Sequence, residues 1–154
     1  KLFIELNKQG RTIVIVTHQM EVVRKACNKA CILEHGKIAD EGTVKDIFIK
    51  QPKSLRRLLG EEKVNLPKTG HNLQIAHMVN DLHDGELFGK MSSDLGYVFP
   101  ILNGKIQEYQ NESMGIFVIN VDNEHFEKIT EYLDKKQINW RELEVVDEEE
   151  EEEE

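Results

Sequence analysis

Long apolar runs are missing from this sequence. No stretch approaches the ~18 apolar residues of a membrane-spanning helix. The opening Lys-Leu-Phe-Ile-Glu-Leu-Asn-Lys carries an acidic residue inside its only apolar patch, so it does not read as a secretory signal. An initiator Met is also absent, and the chain is expected to begin within a longer protein. Cysteine is scarce. Cys27 and Cys31 sit four apart, which is neither a C-x-x-C redox nor a zinc spacing, and no second pair exists. They read as ordinary thiols of a reducing cytosol. A surplus of positive charge is lacking too: 20 Lys+Arg face 29 Asp+Glu, a net of −9. Eight of those acids form the unbroken run Asp147 to Glu154, a solvated and disordered tail by composition. Without it the balance is 20 to 21, which argues against a nucleic-acid partner. What remains is uneven, +5 over residues 1–63 and −6 over 64–146, and this points to two small units. At 39% hydrophobic, each can build only a small core.

In the first half, residues 2–8 read as the end of a helix stopped by Gly10. Thr12-Ile13-Val14-Ile15-Val16-Thr17 is a β-branched run without alternation. Such a strand is buried on both faces, as in a parallel sheet covered by helices. His18 follows at its carboxyl end, where open α/β sheets bind ligands. A histidine merely satisfied at a strand end remains the alternative at this point. Residues 19–26 are helical in composition. Residues 30–34, the His35-Gly36-Lys37 turn and residues 38–40 read as a β-hairpin. Thr43 is a plausible N-cap for a helix over 44–50. Pro52 breaks that helix, and residues 54–59 form another closed by Gly60. Residues 1–60 cannot supply the neighbours that the 12–17 strand needs, so this half looks like the last third of a larger α/β domain.

Residues 61–71, polar and holding Pro67 and Gly70, read as a linker. The second half then gives a strand over 73–79 and a helix over 86–95. A strand over 97–106, a turn at Asn111-Glu112-Ser113 and a strand over 115–121 follow. A helix from an Asn123 cap to Lys136 and a strand over 138–146 end the series. The order β-α-β-β-α-β predicts a ferredoxin-like sheet with its helices on one face. His77, His83 and Asp84 lack the spacing of a metal site, and no metal is expected. Met78, Met91 and Met114 read as core filling.

The string from Ile13 through Thr17-His18-Gln19-Met20 to Glu34-His35-Gly36-Lys37 and Glu41-Gly42-Thr43 resembles the C-terminal third of an ABC transporter ATPase. Residues 44–48 followed by Pro52 fit the same family. The resemblance implies that His18 is the switch histidine, which contacts the γ-phosphate of ATP across a dimer interface. It also exposes a gap. Gly85-Glu86-Leu87-Phe88-Gly89-Lys90-Met91-Ser92 is the nearest string to a phosphate loop, but it has the wrong spacing and Met where Ser or Thr belongs. The glutamine loop, the signature motif and the magnesium-site acids would all precede Lys1. This chain alone is not expected to hydrolyse ATP.

Among such ATPases, an added βαββαβ domain resembles the methionine-importer type with its NIL domain. Val98-Phe99-Pro100-Ile101-Leu102-Asn103-Gly104-Lys105-Ile106 corresponds to the strand that in the family helps bind methionine at a domain dimer interface. The resemblance implies Phe99, Pro100, Ile101, Leu102, Asn103 and Ile106 as ligand-strand residues. Pro100 departs from the family's Asn: its side chain offers neither donor nor acceptor, and its ring removes a backbone N–H. It also predicts an edge or bulged strand.

The expectation is therefore an α/β piece followed by an α+β domain: the end of a P-loop ABC ATPase domain over 1–60, then a ferredoxin-like NIL-type regulatory domain over 72–146. The implied partners are a second copy of the chain, a membrane permease and L-methionine or a related amino acid. ATP and Mg2+ are implied for the full-length subunit, on the inner face of the cell membrane. The alternative is a non-catalytic ligand-binding or dimerisation module with a degenerate ATPase remnant.

Overall fold

A computed structural model of the chain describes residues 2–60, 66–79, 86–110 and 112–145. The linker positions 61–65, the residues His83, Asp84, Gly85, Asn111 and Val146, and the acidic tail lie outside the described residues. The chain divides into two units, one of residues 1–62 with 107–113, the other of 63–106 with 114–154.

The first unit opens with α1 (Leu2–Lys8), which buries no residue, and Gly10 (φ 84) follows. Residues 12–17 then correct the sequence reading. They form no strand, and Val14 and Val16 are 86% and 95% exposed. The reason is physical: a strand exists through its ladder, and the described residues supply no neighbour for this one. α2 (Met20–Ala26) comes next, and then the hairpin β1 (Lys29–Glu34) and β2 (Lys37–Thr43). His35 (φ 49) and Gly36 (φ 75) make its turn, both left-handed, as a tight hairpin requires. The pairing is antiparallel, with an irregularity at Ile32/Leu33. Thr43 does cap α3 (Val44–Lys50): its Oγ1 accepts from the Asp46 N–H at 3.1 Å. Val44, Ile47 and Phe48 of α3 are buried, with Leu55 of α4 (Lys53–Leu59).

The second series is β3 (His71–Val79), α5 (Leu87–Leu95), β4 (Ile101–Tyr109), β5 (Glu112–Val121), α6 (Phe126–Lys135) and β6 (Asn139–Glu142). The sheet order is β4-β5-β3-β6, the ferredoxin-like arrangement. β3 and β6 are antiparallel, with Ile75 opposite Trp140. Leu73, Ile75, Ile119 and Val121 of the sheet meet Met91 of α5 and Ile129 and Leu133 of α6 in one core. Met91 and Met114 are fully buried. The element order follows the sequence reading, but the ends shift. β4 starts at Ile101 rather than 97, because 97–100 run in without pairing as strand. Glu112 and Ser113 lie in β5 rather than in a turn. α6 starts at Phe126, with His125 rather than Asn123 as its N-cap residue and no side-chain cap; the N–H of His125 itself is held by the Asp122 side chain at 2.9 Å.

Candidate functional site

Two places carry the candidate residues, one in each unit. In the first, His18 stands exposed at a bend between residues 12–17 and α2. Thr17 Oγ1 accepts the N–H of Gln19 at 3.0 Å, which closes the turn from the extended segment into the helix. Gln19 itself is the N-cap residue and gives α2 no side-chain hydrogen bond. The described residues do not by themselves fit ATP or Mg2+. His18 has no cradle of backbone N–H groups from a glycine-rich loop beside it, and among the described residues no group of three His, Cys, Asp or Glu could hold a metal ion. No catalytic step is assigned to this chain alone. Burial raises the pKa of the Cys27 thiol, as befits an unreactive cysteine.

In the second unit the candidate ligand strand is β4, at one edge of the sheet. Pro100 directly precedes it, and its carbonyl accepts the Asn120 N–H at 3.1 Å. A proline is tolerated there because an edge position needs one ladder donor fewer. Phe99 is turned the other way: it is 7% exposed and part of the core, with the rings of Phe88 and Tyr97 each 6.1 Å away. Ile101 and Ile106 are exposed, the latter by 65%, while Leu102 and Asn103 are half-buried. Strand alternation puts Leu102 and Ile106 on the face of Gly104, and Ile101 and Asn103 on the opposite one. The six residues named from sequence therefore do not converge on one point; they divide between a core position and the two faces of an edge strand.

The face of Gly104 holds what the sequence reading missed. The ring of Phe117 lies against both Gly104 and Gly115. A Cβ on either glycine would come within 2.7 and 2.5 Å of that ring. Phe88 of α5 meets the same ring edge-on at 4.9 Å. Glycine inside a strand commonly marks such a close approach, and the pair Gly104 and Gly115 was the available signal. The result is an aromatic surface on the face that strand alternation gives Leu102 and Ile106, on the strand that edges the sheet among the described residues. Around the entry to β4, Tyr97 stacks on the His125 ring at 3.9 Å, and its hydroxyl accepts the Asp122 N–H at 3.1 Å. Burial raises the Tyr97 pKa, and the hydrogen bond from His125 lowers that of Asp122.

Comparison with known proteins agrees with this geometry. The NIL domain family matches residues 77–142. The methionine import ATP-binding protein MetN of Clostridioides difficile is 34% identical over 140 residues, covering 90% of this chain and 43% of that protein. Its namesake in Clostridium tetani is 33% identical over 141 residues, 91% of this chain and 44% of its own length. That of Bacillus subtilis is 27% identical over 154 residues, 89% of this chain and 45% of its own. The chain thus spans less than half the length of the curated relatives it matches. The sheet and the matched residues define a ferredoxin-like NIL domain within the ABC transporter class. More particularly, the chain is similar over about nine tenths of its length to methionine import ATP-binding proteins and corresponds to their C-terminal part. No helix among the described residues is long and apolar enough to cross a membrane.

Proposed function

We propose that this chain is the regulatory end of the ATP-binding subunit of a methionine-type ABC importer. Residues 1–60 supply the switch histidine, His18, to a nucleotide site built mainly by residues outside this chain. Residues 72–146 bind L-methionine or a related amino acid and shut transport down. Two copies pair through β4, and a membrane permease holds the subunits at the inner face of the cell membrane. One observation carries the sensing role: the candidate ligand strand is the edge strand of the sheet among the described residues, with an aromatic ring against one of its faces. An edge strand offers unpaired backbone groups to a mate, and exposed Ile101 and Ile106 add apolar surface to such a contact.

Inhibition of this kind is an equilibrium effect: the amino acid must prefer the resting arrangement of the subunits over the ATP-closed one. The full-length subunit assembled with its permease is the right test. L-Methionine is expected to lower its ATP hydrolysis, and Ile106→Glu, which puts a charge on the edge, to relieve that inhibition. His18→Ala is expected to lower hydrolysis by roughly 10²-fold or more, the usual cost of removing one transition-state donor. Hydrolysis indifferent to methionine at every concentration contradicts the sensing role.

A further inference from the structure

We propose that Tyr109 and Gln110 are positioning residues for His18, acting through α2. That helix is short and lightly anchored among the described residues. It is seven residues long, buries none of them, and has no side-chain cap at its start. A helix so short has little stability of its own in water. Its fixed points lie in the second half of the helix. The guanidinium of Arg24 lies over two rings at once, 5.7 Å from the centre of Phe48 and 5.8 Å from that of Tyr109. Those two rings meet edge to face at 5.4 Å, and both are buried. A cation held on aromatic faces away from water gains more than one at an exposed site.

Gln110 acts one residue further on. Its side-chain amide donates to the carbonyl of Cys27 at 3.1 Å and to Oδ1 of Asn28 at 3.0 Å. Cys27 is the C-cap of α2, so this bond satisfies a carbonyl at the end that a helix leaves unpaired. Gln110 does so from the position directly after β4, with a left-handed backbone, φ 51. Lys25 and Glu108 add an exposed ion pair at 3.6 Å, a minor contribution. All these residues lie in the first unit.

His18 sits two residues before α2, and Gln19 joins them. Loosening the clamp therefore moves the histidine's own backbone. A shift of about 1 Å in a catalytic group is enough to slow chemistry strongly. The functional half of this inference rests on the reading of His18 as a phosphate contact.

Two measurements test it. Hydrogen exchange on this chain comes first. Tyr109→Ala and Gln110→Ala are expected to raise exchange of the α2 amides by on the order of tenfold relative to those of α3. Tyr109→Phe, which keeps the ring, is expected to leave them unchanged. Should Tyr109→Ala not fold, Gln110→Ala decides, since that side chain is exposed. The second is ATP hydrolysis by the full-length subunit with its permease: kcat falls several-fold in both variants, KM for ATP holds, and Tyr109→Phe keeps full rate. Unchanged α2 exchange in both variants overturns the proposal. So does a loosened α2 with normal kcat, in a protein where His18→Ala is slow. A normal rate in His18→Ala contradicts instead the reading of His18, and α2 exchange alone then decides whether the clamp exists.

Discussion

Gly70 occupies the tightest corner of the second unit. Its φ of 73 is left-handed, and a Cβ there would sit 2.5 Å from the carbonyl oxygen of Val121 and 3.3 Å from the Asn120 side chain. The neighbours cannot yield. Asn120 Nδ2 donates to the Thr69 carbonyl at 3.0 Å and to Asn72 Oδ1 at 2.9 Å, and Asn72 Nδ2 donates to the Pro67 carbonyl at 2.9 Å. Gly70→Ala is expected to cost roughly 1–3 kcal/mol in urea unfolding, from the strained backbone and the backbone clash together. Gly89→Ala, in α5 with nothing within 4 Å, is the control and is expected to stabilise by about 0.5–1 kcal/mol. Equal effects at both positions would contradict the account. The sequence marked Pro67 and Gly70 only as a boundary. The close neighbours of Gly70, Asn120 and Val121, lie some fifty residues away, and no local pattern encodes such a distance. Tyr109 was passed over for the same reason: its ring partner is Phe48. His18 stands out in the sequence through adjacent residues, Thr17 before it and Gln19 after.

Elements were read more surely than their ends. The hairpin at His35-Gly36, the Thr43 cap and the Gly60 stop are local devices, and each occurs where the residues place it. The 12–17 segment shows the reverse case, since strand formation depends on neighbours the segment does not contain. The start of α6 shows how a cap can be misassigned. Asn123 has the right chemistry, but Asp122 both accepts the His125 N–H and meets the ring Nδ1 of His125 at 2.8 Å. That contact, chiefly the side-chain hydrogen bond, holds the Asp122 carboxyl below its usual value. A pKa lowered by folding contributes stability above the unfolded carboxylate value and loses it as pH falls through the folded one. Asp122→Asn keeps an acceptor for the His125 N–H and removes the charge. It is expected to lower Tm at pH 7 by about 2 °C, with the gap closing in acid as the Asp122 carboxyl takes up its proton. A gap that persists or widens in acid would refute this assignment.

At the scale of the whole molecule, the charge asymmetry and the βαββαβ order already announced two unlike pieces. The order of strands in the second, β4-β5-β3-β6, follows from the ferredoxin-like rule and places β4 at an edge. Pro100 agrees, because proline is confined to such positions. Sequence did not disclose which β4 residues face outward, since burial along β4 does not alternate cleanly. Nor could it show that Phe99 belongs to the core. The central proposal is that this edge serves an amino-acid sensor. Calorimetric titration of L-methionine into the chain, with its association state followed by sedimentation, tests it most directly. The account predicts a dimer that takes up one methionine per protomer saturably. At a hundredfold excess over Kd the ligand then adds about 2.7 kcal/mol to stability, visible as a raised Tm. A well-folded dimer that gives neither heat nor a Tm shift would contradict methionine sensing.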